Sequence, residues 1–198
     1  RLADIETKRH QRTAAPKALA QLCGDRVRAR VIETESVDQS TVRYETKQAR
    51  AQGGATWGVF NDATHAHGLA TTGGIVSTTG IGGLTLGGGI GYLSRGFGLS
   101  CDNLLSAEVV TADGKILTVS EQANEDLFWA LRGGGGNFGV VTSFEYRLHP
   151  VREIYGGPML YEVGDAAGVL RFYRDFIRDA PEELGGFPAW QIAPPLPF

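Results

Sequence analysis

Glycine occupies about every third position between Gly68 and Asn103, and this segment constrains the fold more than any other part of the chain. The same segment contains isoleucine, valine, leucine and threonine and has no repeat, so its composition is that of folded protein rather than of a linker. Ordering glycine costs more conformational entropy than ordering any other residue, and folded proteins use it where backbone approaches another group closely or adopts a positive φ. The segment therefore predicts backbone packed closely against a bound phosphate or cofactor.

Composition and charge exclude several functional classes. The chain has 198 residues, of which 42% are hydrophobic and 21% charged, as expected for one globular domain or slightly more. The net charge of −3 and the absence of long basic runs argue against nucleic acid as a partner. There is no apolar run long enough for a membrane span and no signal-peptide core, which favours a soluble, cytoplasmic protein without a membrane partner. Cys23 and Cys101 lack metal-binding spacing, so we expect free thiols and no metal site.

The distribution of glycine divides the chain. Only Gly24, out of 28 glycines, lies in the first fifty residues, which also hold 11 of the 19 lysines and arginines. We therefore treat residues 1–41 as an unassigned N-terminal segment, in which Ala14–Leu22 favours a short helix and Arg26–Glu33 an exposed strand.

Residues 42–155 predict a domain of strands and helices separated by glycine loops. Val42–Gln52 favours a strand or hairpin arm stopped by Gly53 and Gly54, and Thr56 is a candidate N-cap for a helix that ends at Gly68. Apolar residues at helical spacing mark that helix: Trp57, Phe60, Ala63 and Thr64.

An Asp113-Gly114 turn predicts a hairpin of Ser106–Thr111 with Lys115–Val119. Asn124 is a candidate N-cap for a helix extending through Arg132, in which Phe128 and Trp129 fit core positions. Val140–Leu148 alternates as a strand closed by Pro150, with Val140, Thr142, Phe144, Tyr146 and Leu148 on one face.

The last part of the chain, residues 156–198, favours the start of a second domain. After a linker at Gly156–Pro158, Met159–Val163 and Phe187–Ile192 favour strands and Asp165–Asp179 favours a helix. One helix with so few strands cannot close a sheet of its own.

Three glycine loops are candidates for backbone binding of an anion. The first, Thr71–Gly83, also offers the hydroxyls of Ser77, Thr78 and Thr79; the alternative is a tight turn that packs one strand against another. The second, Gly87–Gly91, could equally mark close approach of a helix to a sheet. The third, Gly134–Gly139, has G-x-G-x-x-G spacing, but a helix precedes it and a strand follows, the reverse of a Rossmann fingerprint.

Other polar residues favour structural roles. His65 and His67 are two residues apart near a helix end, so they cannot share a metal and are expected to be solvated or capping. Asp102 and Asn103 could fix loop backbone. A phosphate-binding transferase would need a cation beside the loops, for which Arg95 and Arg132 are the candidates.

Four ordered motifs carry a resemblance to a known family. They are QGGATWGVF at Gln52–Phe60, HGLATTGG at His67–Gly74, and the longer segments Gly80–Gly114 and Glu125–Pro150. Together they resemble the FAD-linked oxidases of the vanillyl-alcohol oxidase and p-cresol methylhydroxylase (PCMH) superfamily, and within it the bacterial relatives of berberine bridge enzyme. The resemblance implies an α+β fold: the second subdomain of a PCMH-type FAD-binding domain, with an antiparallel sheet and flanking helices, followed by the start of a substrate domain.

The resemblance also implies function and contacts. It implies hydride transfer from a small organic substrate to flavin N5, with O2 as the acceptor. It assigns the pyrophosphate and ribityl region to Thr72, Gly73, Gly74, Ser77, Thr79, Gly80, Gly82 and Gly83. The flavin would be lined by Gly87, Gly88 and Gly89, and the adenine side would meet Gly139, Val140 and Val141.

Two departures from the family pattern support an alternative. The Arg-x-Gly-Gly-His loop, whose histidine bonds to the flavin, is absent, because none of the histidines here follows a glycine pair: His10, His65, His67 and His149. Val76 stands where bicovalent relatives carry cysteine, and we assign no catalytic base. The alternative is an inactive FAD-binding fragment or a pseudo-enzyme that serves as a binding module.

Overall fold

The computed structural model describes residues 42–190, and its first element is a short antiparallel hairpin. Strand β1, Val42–Arg43, pairs with β2, Gln48–Gln52, across a turn in which Lys47 has a φ of 52°. The segment predicted as one strand or hairpin arm is thus two strands with a turn at residues 44–47, and its second strand ends before Gly53 as predicted. The helix predicted at Ala14–Leu22 and the strand predicted at Arg26–Glu33 lie outside the described residues.

Helix α1, Trp57–His65, follows as predicted and ends before Gly68, whose φ is +66°. Thr56 occupies the N-cap position without a side-chain capping bond. Strand β3, Leu69–Ala70, leads into the glycine-rich segment, where two short helices form that the sequence analysis did not predict: α2, Ile81–Leu86, and α3, Ser94–Phe97. A 3-10 turn at Cys101–Asn103 precedes the next strand.

The second half of the domain completes the sheet. Strands β4, Leu104–Val110, and β5, Ile116–Ser120, form the predicted hairpin with Gly114 at a φ of +80°. Helix α4, Glu125–Leu131, is followed by a 3-10 turn at Gly135–Phe138, by β6, Val140–Arg147, and by β7, His149–Pro150. Asn124 precedes α4 in a left-handed conformation, and its amide donates to Thr118 O at 2.8 Å instead of capping the helix.

The strands form an antiparallel sheet in the order β1-β2-β6-β4-β5, while β3 and β7 pair separately. The central strand β6 carries Phe144 and Tyr146, which face Ala51 and Ala49 of β2. Trp57 and Phe60 of α1 pack on the same face, with ring centroids 5.7 and 5.4 Å from that of Tyr146. All four rings are fully buried, and each contributes about 1.5–3 kcal/mol through burial. The α+β fold with an antiparallel sheet is therefore confirmed.

The alternation predicted for β6 is interrupted. Phe144, Tyr146 and Leu148 are buried as expected, but Val140 is exposed whereas Val141 is buried. A register irregularity against β4 places Glu108 opposite Ser143 and Val109 opposite Val141, so Thr142 is an extra residue. Because of this bulge, the side chains of β6 that precede Thr142 lie on the face opposite to the one that simple alternation predicts.

The final described element is α5, Ala166–Asp179, which confirms the predicted helix. The strand predicted at Met159–Val163 is wrong: these side chains are exposed, and this stretch pairs with no strand among residues 42–190. Phe187–Trp190 likewise form no strand. No helix in residues 42–190 is long and apolar enough to cross a membrane.

Candidate functional site

Thr71–Thr78, here called the amide loop, leads from β3 toward α2 with its backbone donors free. Within residues 42–190, none of its N–H groups has a hydrogen-bond acceptor. Its carbonyls, in contrast, hold it in place: Ser77 O accepts from Gly58 N at 2.8 Å and Val76 O accepts from Thr79 N at 3.0 Å. A run of free amides on a fixed backbone is suited to binding an anion.

The C-terminal end of the amide loop is fastened to α1 and to the residues just before that helix. Trp57 N donates to Thr79 O at 3.0 Å, and Ile81 N donates to Ala55 O at 2.9 Å. Thr72 is fully buried and its hydroxyl donates to Gly98 O at 2.9 Å, so that side chain stabilises the loop rather than facing a ligand. Ser77 is exposed and Thr79 half-buried, which leaves their hydroxyls beside the free amides.

Close packing explains several of the predicted glycines. A Cβ atom at Gly73 would lie 2.6 Å from the Trp57 ring, and one at Gly89 would lie 2.4 Å from Ser100 Oγ. At Gly139 it would lie 2.6 Å from Val110 O, and at Gly82 3.0 Å from Gly53 O. At these positions the glycine is required by the protein itself, which is the alternative that the sequence analysis left open for the first two loops.

Gly80 and Gly83 are different. A Cβ atom at either position would have no described atom within 4 Å, and neither residue has a positive φ. Both residues are exposed, at the start and within the first turn of α2. Neither packing within residues 42–190 nor backbone conformation requires glycine here, so the space beside these two residues can admit an outside molecule.

Buried polar atoms beside the amide loop lack partners. Trp57 Nε1 and Thr71 Oγ1 are buried and make no hydrogen bond among the described residues, and the same is true of Gln52 Oε1 at the end of β2. The Trp57 indole lies under Gly73 and Gly74. Unpaired buried polar groups are uncommon in folded proteins and concentrate at functional sites. The N–H groups of the amide loop, which have no acceptor within residues 42–190, fit a polar, anionic cofactor.

The other two glycine segments lie near the first. Helix α2 is next to the Gly135–Phe138 turn. Gly53 N donates to Thr142 O at 2.8 Å, and Gly53 O lies against Gly82. Gly53 is therefore located between β6 and α2. Of the predicted adenine-side residues, Val140 is exposed and Val141 faces the core, so only its backbone is available to a ligand. The predicted residues of all three segments are therefore brought to one side of the domain.

The predicted cations are engaged elsewhere. Arg95 donates to Ala180 O at 2.6 Å, and Arg132 donates to Cys101 O at 3.0 Å and lies 3.4 Å from an Asp102 carboxylate oxygen. Neither contact is directed to the amide loop. His65 contacts Arg152 O at 3.1 Å, as expected for a structural residue. Trp129 was predicted in the core, but it is 77% exposed because α4 buries Phe128 and Leu131 instead.

Asp102 and Asn103 fix loop backbone as predicted. Asp102 Oδ2 accepts from Leu99 N at 2.8 Å, while Asn103 Nδ2 donates to Phe97 O and Leu99 O at 2.9 and 2.8 Å. Burial and the neighbouring Asp102 carboxylate raise the pKa of the Cys101 thiol. A raised pKa disfavours the thiolate, so Cys101 is not poised as a nucleophile.

The sequence analysis assigned no structural or functional role to His149. Its Nε2 lies 2.7 Å from Asn103 Oδ1 and its ring stacks on Phe97 at 4.1 Å. Burial, and then the charges of Arg147 and Lys47, lower its pKa. His149 therefore joins β7 to the turn before β4 as a neutral ring, a role visible only once these segments are brought together.

Comparison with known proteins decides the family. The family model described as FAD binding domain matches residues 18–120, a range that begins inside the N-terminal segment left unassigned above. The chain belongs to this family. It is a PCMH-type FAD-binding domain of the vanillyl-alcohol oxidase and berberine-bridge-like FAD-linked oxidoreductases, and its cofactor is FAD.

Curated relatives are similar over most of the chain. An FAD-linked oxidoreductase of Dictyostelium discoideum is 39% identical over 156 residues, which is 78% of this chain and 34% of the relative. An FAD-linked oxidoreductase of Aspergillus terreus is 45% identical over 131 residues, 66% of this chain and 27% of the relative. The chain thus spans about a third or less of the length of these relatives.

Solved structures show the same fold. The 6-hydroxy-D-nicotine oxidase from Arthrobacter nicotinovorans superposes with a TM-score of 0.62 at 36% identity, covering 68% of this chain and 30% of that protein. The xylooligosaccharide oxidase from Myceliophthora thermophila gives a TM-score of 0.54 at 41% identity, covering 56% of this chain and 24% of that protein.

Proposed function

We propose that the amide loop and the exposed glycines of α2 hold the diphosphate region of FAD in an oxidoreductase that acts on a small organic substrate. The observation that carries this proposal is the pair Gly80 and Gly83, where glycine is required neither by conformation nor by packing within the described residues. The free N–H groups of Thr71–Thr78 supply the donors that a diphosphate needs. No counter-charge from Arg95 or Arg132 is needed in this arrangement.

When bound, FAD would supply the redox chemistry, as hydride acceptor from the substrate with O2 as the proposed final electron acceptor. The chain's own residues bind and orient it. Thr71–Thr78 would hold the diphosphate through main-chain donors, with the hydroxyls of Ser77 and Thr79 beside them. The backbone at Gly87–Gly89 would line the flavin, and that of Gly139–Val141 the adenine side.

Rigidity of the loop supports a binding role. The Thr72 hydroxyl donates to Gly98 O, and the backbone of Gly73 packs against the Trp57 ring. Donors that are already fixed in position lose little entropy when a ligand binds, which raises affinity without adding contacts.

The test is an FAD titration of the chain and of two matched variants. Gly83→Leu places a side chain in the open space at α2, whereas Gly168→Leu makes the same change at another open helical glycine, on α5. Leucine favours a helix over glycine by about 0.8 kcal/mol, so neither variant should unfold. We expect Gly83→Leu to weaken FAD binding by about tenfold or more and Gly168→Leu to leave it unchanged. Equal affinity of all three proteins would overturn the proposed site.

A non-catalytic FAD-binding module is the second candidate. It is supported by the absence of the Arg-x-Gly-Gly-His loop from the sequence, and we assign no catalytic base. The two candidates differ in turnover. Peroxide formation with added FAD and a panel of sugar and amine substrates would support the oxidase, whereas stoichiometric FAD binding without peroxide would support the binding module.

A further inference from the structure

Residues 180–187 form a turn after α5 that contacts the glycine-rich half of the domain. Within the turn, Leu184 N donates to Pro181 O at 3.0 Å. On one side it is bound to its own helix, because the Tyr173 hydroxyl donates to Gly186 O. The other side faces α3, which lies between Gly87–Gly91 and the start of β4.

Arg95 of α3 makes the central contact with this turn. Its Nη2 donates to Ala180 O at 2.6 Å, and its Nη1 donates to Leu184 O at 3.5 Å. Ala180 is the C-cap residue of α5, so a cation is placed at the end of the helix where unpaired carbonyls accumulate. The planar guanidinium can reach two carbonyls at once, which a lysine ammonium does less well.

Neighbouring residues extend the contact on both sides of Arg95. The Tyr92 ring stacks on Phe187 with ring centroids 6.4 Å apart. A Cβ atom at Gly185 would lie 3.3 Å from Tyr92 O, and one at Gly96 would lie 3.5 Å from Glu182 O. The backbone of the turn thus comes close to Tyr92 at Gly185, whereas the space at Gly96 is that of an ordinary van der Waals contact.

Helix α3 is in turn fastened to the amide loop. Gly91 N donates to Ser94 Oγ at 2.9 Å, and the Gly91 backbone touches Gly73 so closely that a Cβ atom would overlap Gly73 O. At the other end of α3, Gly98 O accepts from the Thr72 hydroxyl. Arg95 therefore lies on a helix that is connected at both ends to residues of the amide loop, Gly73 through Gly91 and Thr72 through Gly98.

We propose that Arg95 is a positioning residue that docks α5 and the 180–187 turn onto the support of the amide loop, so that FAD binding and the order of this turn are coupled. Only the coupling to FAD rests on the proposed function. The docking itself rests on the contacts of Arg95 and Tyr92. The same contacts place residues 180–187 beside Tyr92–Gly96, the segment that follows the glycines proposed to line the flavin.

Hydrogen exchange of the whole chain tests the docking without FAD. We expect Arg95→Ala to increase exchange in residues 180–187 by about tenfold, with exchange in β4 and β6 unchanged. Arg95→Lys should restore part of the protection. The control is Arg178→Ala in the last turn of α5, where the arginine pairs only with Asp175 at 3.3 Å; it should leave the turn protected. Exchange in Arg95→Ala that equals that of the wild type would overturn the proposal.

The same measurement with FAD tests the coupling. In the wild type, FAD should slow exchange in both the amide loop and the 180–187 turn, whereas in Arg95→Ala it should slow exchange in the amide loop alone. Slower exchange in the loop but not in the turn of the wild type would refute the coupling. If FAD slows neither region and Arg95→Ala still exposes the turn, the docking stands and the proposed FAD site fails.

Discussion

Asn103 links three parts of the domain through a single buried amide. Its Nδ2 donates to the carbonyls of Phe97 and Leu99, which fixes the orientation of the amide and leaves Oδ1 as an acceptor. The contact of Oδ1 with His149 at 2.7 Å therefore requires a proton on His149 Nε2. In the neutral ring this leaves Nδ1 unprotonated, and protonation of Nδ1 places a charge in a partly buried site near Arg147 and Lys47.

This arrangement predicts a pH dependence of stability. The pKa of His149 is lowered below its ordinary 6.5, so the unfolded chain takes up the proton more readily than the folded one. The free energy of unfolding should therefore fall as pH falls from about 6.5 through the lowered pKa, and this contribution is complete at higher pH. His149→Gln keeps an N–H donor for Asn103 and removes the titration.

Urea denaturation of the wild type and of His149→Gln at about pH 7.5 and about pH 5.5 measures this effect. We expect the wild type to lose more stability than the variant between these two conditions. An equal loss in both proteins would show that His149 does not carry the pH dependence.

The individual roles of the glycines could not be predicted from sequence. Their density correctly indicates close approach of backbone, but Gly73 and Gly83 look alike in the chain. The space beside Gly73 is occupied by the ring of Trp57, sixteen positions earlier in the chain, whereas Gly83 faces open space. This difference depends on tertiary contacts, which no local pattern encodes.

At the scale of elements, α2 is joined to the central strand by one buried hydrogen bond. The hydroxyls of Thr85 and Tyr146 lie 2.6 Å apart, and both side chains are fully buried. Burial raises the pKa of Tyr146, so this hydroxyl is protonated at neutral pH. The bond fixes α2, and with it Gly83, against β6.

Removal of both partners should therefore destabilise the domain by less than the sum of the two single removals. Tyr146→Phe leaves the Thr85 hydroxyl buried without a partner, which we expect to cost about 1–3 kcal/mol of unfolding free energy. Thr85→Val has the matching effect on Tyr146. The double variant should lose less than the sum of the two single losses, and a double-mutant cycle from urea denaturation gives that difference. Strict additivity would contradict a direct hydrogen bond.

Elements with strong local signals were predicted, and those that depend on tertiary contacts were not. The β4–β5 hairpin and helices α1 and α5 were found from turn residues and helical spacing. Helix α2 contains Gly82 and Gly83, so its intrinsic helix propensity is low, and packing of Ile81, Thr85 and Leu86 against the core stabilises it instead. The Thr142 bulge and the missing strand at Met159–Val163 both depend on a partner strand, which alternation alone cannot reveal.

In the molecule as a whole, the described residues divide into a sheet domain with a buried core and a more exposed C-terminal part. The core consists of residues between Ala49 and Leu148, whereas α5 has no buried residue. The amide loop belongs to the buried part, because Trp57 lies beneath it and Thr71 and Thr72 are buried. A ligand of the loop should therefore stabilise the entire sheet rather than a separate subdomain.

This predicts a shift in thermal unfolding when FAD is added. A ligand that binds only the folded state at about a hundred times its Kd stabilises it by about 2.7 kcal/mol, which corresponds to about 5–10 °C for a domain of this size. The transition can be followed by the emission of Trp57, which is fully buried, whereas Trp129 and Trp190 are 77% and 60% exposed. Gly83→Leu should unfold near the wild-type temperature without FAD and show little shift with it. A large FAD-induced shift in Gly83→Leu, or none in the wild type, would place the cofactor away from the amide loop.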